Sequence, residues 1–137
     1  MNKLIITLLI ATNSFSQVYD SKLIQIVDVL KEVETNRNPK SVGDNGRAYG
    51  VLQIHKICVD DVNRFYNTNF SHDEMFNEEK AELVAVLYLK KGVELFRKKY
   101  KKHPTEKQVV RMFNGNIYNG FKKDSTLKYY QRYLDFK

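Results

Sequence analysis

Apolar residues recur at helical spacing along most of this chain, and the pattern predicts a mainly α-helical fold. The first such segment runs to Glu34 from Asp20 or Ser21, either of which suits an N-cap. Its buried stripe is expected to contain six apolar residues: Leu23, Ile24, Val27, Val29, Leu30 and Val33. Further helices are predicted over about residues 51–66, 78–101 and 106–113, and a final one begins at Ser125.

Local cap signals support these helices. Asn77 precedes the longest apolar segment, which carries acidic residues first and basic residues last, as the helix dipole favours. Thr105 is the predicted N-cap of the next helix, and residues 71–74 have the pattern of a capping box. No segment alternates apolar and polar residues for a useful length, and residues 48–54 are too short for an ordinary strand with a partner. One mainly α domain is therefore expected.

The start of the chain has the pattern of a secretory leader. Lys3 provides the positive charge, residues 4–11 form an apolar core, and residues 14–16 form a small-x-small cleavage site. The apolar run is about half the roughly 20 residues needed to span a bilayer. We predict a signal peptide over residues 1–16 and a mature domain over residues 17–137, hence a secreted or periplasmic protein with no stable membrane anchor after cleavage. A buried first helix is the alternative.

The charge balance favours an anionic partner. The 137-residue chain carries 23 lysines and arginines against 16 aspartates and glutamates, a formal net charge of +7. Such an excess suits nucleic acid, a membrane surface or an acidic cell-wall polymer, although a solvated basic surface explains it equally well. The only cysteine, Cys58, lies in an apolar run, which indicates a buried thiol and excludes an intramolecular disulfide. His55, His72 and His103 lack metal-ligand spacing, so neither a metal nor a cofactor is predicted.

Helical spacing separates two carboxylates at the end of the first segment. Counting back from Glu34 in steps of four, three and four gives only apolar residues: Leu30, Val27 and Leu23. The same count from Glu32 gives only polar residues: Asp28, Gln25 and Ser21. We therefore expect Glu34 on the buried face, where desolvation raises the pKa of a carboxyl and suits it to donate a proton near neutral pH. A helix-end glutamate that turns towards water is the alternative.

A proton donor beside a polar loop suits cleavage of a glycosidic bond, because the leaving oxygen must be protonated while positive charge develops on the sugar. Most glycosidases use a second carboxylate as well. Asp44 is the nearest candidate in sequence, but Gly43 and Asn45 flank it, and an aspartate in such a turn needs no other role. The turn role is favoured, and a catalytic role for Asp44 stays open.

Three short motifs, in order, resemble a known enzyme family. Glu34-Thr35 with Asn38-Pro39 resembles the Glu-Ser…Asn-Pro opening of lysozyme-like lytic transglycosylases of the soluble-transglycosylase type, which are related to goose-type lysozymes. The segment Ala48-Tyr-Gly-Val-Leu-Gln53 is similar to the Ala-x-Gly-Leu-Met-Gln motif of that family. The segment Arg111-Met-Phe-Asn-Gly115 resembles its third motif, Ala-x-x-Tyr-Asn-x-Gly. Together the motifs cover about residues 21–121.

The resemblance implies a single lysozyme-like helical domain with a substrate groove, and peptidoglycan glycan strands as its partner. In that family one glutamic acid, matched here by Glu34, protonates the oxygen between N-acetylmuramic acid and N-acetylglucosamine. It then draws a proton from the muramyl 6-hydroxyl, which closes a 1,6-anhydro ring without water. Goose-type lysozymes hydrolyse the same bond with a water positioned by aspartates, so Asp44 keeps a hydrolytic muramidase open as the alternative.

The resemblance also implies substrate-binding residues. Gln53 and Asn114 match family residues that line the groove and hydrogen-bond the sugars. A contact with a helix N-terminus for Gln53 and a helix C-cap role for Asn114 would explain them equally well. Tyr49 and Tyr118 are expected to offer aromatic surface to the sugars, although buried packing explains either as well.

Two positions depart from the family pattern. Thr35 replaces the usual serine and keeps its hydroxyl, and it is grouped with the expected substrate-binding residues. Phe113, which is also grouped with the expected substrate-binding residues, replaces the usual tyrosine and loses a hydroxyl that could hydrogen-bond the catalytic acid. Tyr118 or Tyr129 would have to supply that hydroxyl instead.

A non-catalytic basic helical protein that binds the cell wall or nucleic acid is the alternative from another class. Residues 98–103 and 121–136 mix bases with aromatic residues, as nucleic-acid-binding surfaces do. The leader argues against a nucleic-acid target, and the dipole already favours lysines at a helix C-terminus. We therefore predict a secreted, monomeric peptidoglycan glycosidase without a nucleic-acid partner, with lytic transglycosylase as the first choice.

Overall fold

Five α-helices and one small sheet make up residues 20–137, which are the residues described by the computed structural model. The elements in chain order are α1 (residues 20–35), β1 (Val42–Gly43), β2 (Ala48–Tyr49), β3 (Ile54–His55), α2 (Lys56–Tyr66), α3 (Glu78–Tyr100), α4 (Glu106–Asn114) and α5 (Leu127–Phe136). Short 3-10 turns occupy Asp44–Gly46, Asp73–Phe76, Gly120–Lys122 and Asp124–Thr126. The chain is mainly helical, as its hydrophobic pattern predicts.

Helix α1 buries most of its predicted stripe, with Val29 only half-buried and one residue exchanged for another. Four stripe residues are at most 1% exposed: Leu23, Val27, Leu30 and Val33. Ile24 is 45% exposed, so its place in the predicted stripe is wrong, and Ile26 is buried instead. Ile26 lies three residues after Leu23 and four before Leu30, which puts it on the same face of the helix.

The predicted N-cap of α1 is also wrong. Asp20 and Ser21 are both already helical, so neither has the extended backbone of a cap. The Asp20 carboxylate instead pairs with Lys90 of α3, with an oxygen-to-nitrogen distance of 3.2 Å. The start of the described chain is thereby joined to the longest helix.

Helix α3 supplies much of the core. Its buried face includes Ala81, Val84, Ala85, Leu89, Val93 and Phe96. Helices α2 and α4 pack against α3, and α5 packs against α4. The buried residues of all five helices belong to one hydrophobic cluster. Because α1, α4 and α5 share this core, side chains that are far apart in sequence meet at its edge.

Most predicted caps are confirmed. The Asn77 side chain accepts from the Lys80 N–H at 3.0 Å at the start of α3. Thr105 forms a capping box with Gln108 at the start of α4. The Ser71 and Glu74 side chains each accept from the other residue's backbone N–H, at 3.3 and 3.0 Å, as the capping-box pattern predicts. Ser125 does not begin the final helix, because a 3-10 turn comes first and α5 starts only at Leu127.

The three-stranded sheet corrects the expectation that residues 48–54 lead directly into a helix. Strand β2 pairs antiparallel with β1 on one side and β3 on the other, with Tyr49 opposite both Val42 and Ile54. Two-residue strands are too short to show alternation in sequence. The chain reverses at residues with positive φ, among them Asp44, Asn45, Gly50 and Gln53. Helix α2 therefore begins at Lys56, five residues later than predicted.

The predicted signal peptide, residues 1–16, lies outside the described residues. Between residues 20 and 137 the structure has no helix that is both long and apolar enough to cross a membrane.

Candidate active site

Glu34 lies at the end of α1, one residue before the helix stops. Its side chain is half-buried and continues the stripe that ends in the buried Val33. Burial raises the pKa of Glu34 from 4.5 to about 6. Glu32, by contrast, forms an ion pair with Arg37, which also binds Asp28. The two carboxylates therefore have different surroundings, as their helical spacing predicts.

Helix α5 holds the Glu34 carboxyl in place. The Tyr129 hydroxyl donates a hydrogen bond to Glu34 Oε1 at 2.6 Å, so Tyr129, and not Tyr118, supplies the hydroxyl that Phe113 lacks. Three residues later, Arg132 donates from Nη2 to the Val33 carbonyl at 2.6 Å. The hydrogen bond from Tyr129 and the charge of Arg132 favour the carboxylate, so both limit the rise in the pKa of Glu34 that burial causes.

Glu34 borders an open cleft of about 470 Å³. Five of the predicted site residues line it together: Glu34, Asp44, Gln53, Phe113 and Asn114. They come from the end of α1, the sheet region and the end of α4. The remaining lining residues are Ala48, Ile54, His55, Ile57, Cys58, Tyr88 and Gly115. The fold thus brings the proton-donor candidate, polar side chains and apolar surface to one cleft.

Thr35 supports the site from outside the cleft lining. Its hydroxyl donates to the Val51 carbonyl at 2.8 Å and accepts from the Asn38 N–H at 3.1 Å. These bonds join the end of α1 to the turn between β2 and β3. Thr35 therefore positions its neighbour Glu34 relative to the sheet.

Gln53 is held in a tight turn by its own side chain. Its backbone has φ 50°, and its amide Nε2 donates to the Gly50 carbonyl at 3.0 Å and to the Ser41 carbonyl at 3.3 Å. A Cβ added to Gly43 would lie 2.2 Å from Gln53 Oε1, so a larger residue at this position would displace the amide. Gln53 thus makes turn contacts and not the contact with a helix N-terminus that was its alternative explanation.

Asp44 belongs both to a turn and to the cleft. It has φ 48° in the 3-10 turn and pairs with Arg47 at 3.0 Å through Oδ1. Its Oδ2 lies 3.2 Å from His55 Nε2. Both carboxylate oxygens therefore have cationic or ionisable partners, although the side chain faces the same cleft as Glu34.

Two predicted aromatic residues lie outside the cleft lining. Tyr49 is stacked on His72, with ring centroids 3.8 Å apart, and on Phe76 at 4.7 Å. Tyr118 is 55% exposed and lines a different pocket, beside Phe121. Asn114 is the last residue of α4, and its C-cap is Gly115, so the expectation that Asn114 is itself the C-cap is not met.

Some cleft residues gave little signal in the sequence. Ile57 is 71% exposed and lies off the buried face of α2, which carries Val59 and Val62. The sequence could have indicated Ile57 as a cleft residue only because it is apolar and lies away from the buried face of its helix. Arg132 could have been found from Tyr129, because residues three apart share a helix face. Cys58, predicted to be buried, is only half-buried and lines the cleft, and burial raises the pKa of its thiol.

Within residues 20–137, no group of three or more histidine, cysteine, aspartate and glutamate side chains could hold a metal ion. No protein family, curated protein or solved structure matches this chain. The chemistry of the cleft residues is therefore the basis on which a function can be proposed.

Proposed function

We propose that this protein is a peptidoglycan glycosidase that cleaves the β-1,4 bond between N-acetylmuramic acid and N-acetylglucosamine. Glu34 is its general acid and base. The observation that carries the proposal is a carboxyl with a pKa of about 6 on the wall of an open cleft. Such a group retains a protonated fraction towards neutral pH, can protonate the glycosidic oxygen, and can take up a proton in the next step.

The cleft would act as the glycan groove of a lysozyme-like domain. Gln53 lines this cleft, and because its Nε2 donates to two backbone carbonyls, its Oε1 is the atom that could accept from a sugar hydroxyl. Asn114 lines the same cleft and is exposed. Ile57 adds exposed apolar surface, which suits the apolar face of a sugar ring.

We favour a lytic transglycosylase, in which the muramyl 6-hydroxyl is the nucleophile and a 1,6-anhydro end is formed. The pairing of Asp44 with Arg47 and His55 supports this choice, because both oxygens of the second carboxylate already have partners. A hydrolytic muramidase is the second candidate, because Asp44 lines the same cleft as Glu34 and could orient a water.

Replacement of Glu34 tests the proposal. Glu34→Gln should fold normally and lose at least about a hundred-fold in cell-wall lysis, because an amide cannot donate the proton. The measurement is the fall in turbidity of a peptidoglycan suspension. Glu32→Gln is the matched control, since it removes one charge from the same helix end but lies in the ion pair with Arg37. Lysis by Glu34→Gln together with loss in Glu32→Gln would overturn the assignment.

The products separate the two reaction types. Mass spectrometry of peptidoglycan digested by the purified protein should show 1,6-anhydro-muramyl ends, because the substrate supplies its own nucleophile. Reducing muramic ends, which carry the mass of one added water, would instead show that the enzyme is a hydrolytic muramidase. In that case Asp44→Asn should reduce the rate.

A further inference from the structure

A strongly basic surface lies at the C-terminal end of α3 and in the turn that packs beside it. Seven exposed cationic residues form it: Arg97, Lys98, Lys99, Lys101, Lys102, Lys122 and Lys123. No aspartate or glutamate occurs between residues 95 and 105. We refer to these seven residues as the basic surface.

None of the seven cations of the basic surface forms an ion pair with a carboxylate among the described residues. Every ion pair within residues 20–137 lies elsewhere and involves other cations, such as Lys31, Arg37 and Lys80. The seven exposed cations create a local positive potential at this end of α3. The nearby Lys122 and Lys99 ammonium groups lower the pKa of Tyr100.

A shallow aromatic pocket of about 320 Å³ lies within the basic surface. Phe96, Tyr100 and Phe121 form its packed centre, with ring centroids 4.6 to 6.0 Å apart. The Lys99 and Lys122 ammonium groups lie 5.5 and 5.3 Å from the centre of the Tyr100 ring. The Tyr118 ring is 55% exposed at the edge of the pocket.

This combination indicates the chemistry of a ligand. Ammonium groups that form no ion pair with a carboxylate attract repeated negative charges, and an exposed aromatic ring offers a flat face to a sugar. We propose that the basic surface binds a phosphodiester polymer that carries sugars, as a second site that holds the enzyme on the cell wall. The assignment to a wall polymer rests on the proposed function of the cleft.

The cleft and the aromatic pocket are lined by different residues. Gly115 lines the cleft, whereas Ile117 and Tyr118 line the aromatic pocket, and no residue lines both. The two sites can therefore be altered separately by substitution.

The aromatic residues favour a sugar-bearing polymer over single-stranded nucleic acid. Nucleic-acid surfaces stack successive bases on several free aromatic faces. Here Tyr100 is half-buried and Phe96 and Phe121 are buried, whereas Tyr118 is mostly exposed. One exposed ring suits a single sugar substituent better than a run of bases.

Binding to a polymer that contains no peptidoglycan tests this inference without any catalytic step. The probe is fluorescently labelled poly(ribitol phosphate) substituted with N-acetylglucosamine, and the measurement is fluorescence anisotropy with the full chain. The triple variant Lys98→Gln, Lys99→Gln, Lys122→Gln should bind at least about ten-fold more weakly, because each lysine close to a polyanion contributes to affinity. The matched control, Lys40→Gln, Lys107→Gln, Lys128→Gln, removes the same charge from exposed lysines outside the basic surface and should change the affinity less than about three-fold.

Two further arms complete the experiment. Tyr118→Ala should weaken binding of the sugar-bearing polymer by about three-fold or more and leave binding of unsubstituted poly(ribitol phosphate) unchanged. Any of three results would overturn the inference: an equal loss of affinity in the two triple variants, an equal effect of Tyr118→Ala on binding of both polymers, or no binding by the wild-type chain. Tighter binding of single-stranded DNA with the same number of phosphates would assign the surface to nucleic acid instead. These binding measurements involve no catalytic step, so retained wall lysis by Glu34→Gln would overturn the proposed function without changing them, and the two proposals can fail separately.

Discussion

At the scale of the residue, opposing influences set the protonation of Glu34. Burial raises the pKa of its carboxyl, whereas the Tyr129 hydroxyl and the charge of Arg132 favour the ionised form. The resulting pKa of about 6 is one at which a carboxyl can both give and take a proton under mild conditions. In a fully apolar site the pKa would be higher and the carboxyl would not ionise readily, whereas in a solvated site it would be lower and the carboxyl would already be ionised at neutral pH.

This balance predicts a pH-dependent difference in stability between the wild-type protein and Glu34→Gln. A carboxyl whose pKa is higher in the folded state favours folding below its unfolded pKa, and this contribution is lost as the pH rises through the folded pKa. The rise from 4.5 to about 6 corresponds to up to about 2 kcal/mol. Relative to the wild type, Glu34→Gln should therefore gain up to that amount in free energy of unfolding between pH 4 and pH 7.5, as measured by urea unfolding.

The glutamine of Glu34→Gln keeps an oxygen that can accept the hydrogen bond from Tyr129. The comparison of this variant with the wild type therefore isolates the effect of the charge. Glu32→Gln serves as the control, because it removes a carboxylate from the same end of α1 that pairs with Arg37 and not with Tyr129. A stability difference between wild type and Glu34→Gln that does not change with pH would contradict the buried-carboxyl account.

At the scale of the element, the sheet shows where local patterns fail to predict structure. Its strands have two residues each, so no alternation exists to be read. Asp44 and Asn45 are common turn residues, but Gln53 at positive φ follows no composition rule. Its conformation is stabilised by amide hydrogen bonds to Gly50 and Ser41, which depend on the completed turn. The helices, in contrast, carry their caps and periodicity within a few residues, and most were predictable.

Two glycines in this region provide a test of the turn packing. Gly46 and Gly50 have similar positive φ values, 83° and 79°. A Cβ on Gly46 would meet nothing within 4 Å, whereas one on Gly50 would lie 1.9 Å from the Met75 carbonyl oxygen. Gly46→Ala should cost about 1 kcal/mol from backbone strain alone, and Gly50→Ala about 3 kcal/mol or more.

Urea unfolding of the two variants at one pH measures this difference directly. The pair is matched because each change adds one methyl group at a left-handed backbone position. Similar losses would mean that the contact between the β2–β3 turn and the Asp73–Phe76 turn is not formed as described.

At the scale of the whole molecule, the candidate site depends on contacts that no local window contains. Tyr129 reaches Glu34 across 95 positions of sequence, and Arg132 reaches Val33 across 99. Face counting could select Glu34 over Glu32, and the missing hydroxyl at Phe113 could nominate Tyr129. The cleft itself could not be predicted in this way, because Ile57, His55 and Tyr88 reach it only after α2 and α3 have packed. The basic surface also forms only when the Gly120–Lys122 turn packs beside the end of α3, where Lys122 lies over the Tyr100 ring.

The start of the chain is the last feature that can be tested at this scale. Residues 1–16 are predicted to be a leader, and Asp20 already binds Lys90 of α3 within a few residues of the predicted cleavage point. A chain that begins at Gln17 should therefore retain the free energy of unfolding of the full chain to within about 0.5 kcal/mol, the usual range for changes away from packed features. Urea unfolding of the two chains measures this, and N-terminal sequencing of exported protein should begin at Gln17. A loss of several kcal/mol on truncation, or an intact Met1 in the exported protein, would show that the first residues belong to the folded domain, since a leader is removed and contributes nothing to the mature core.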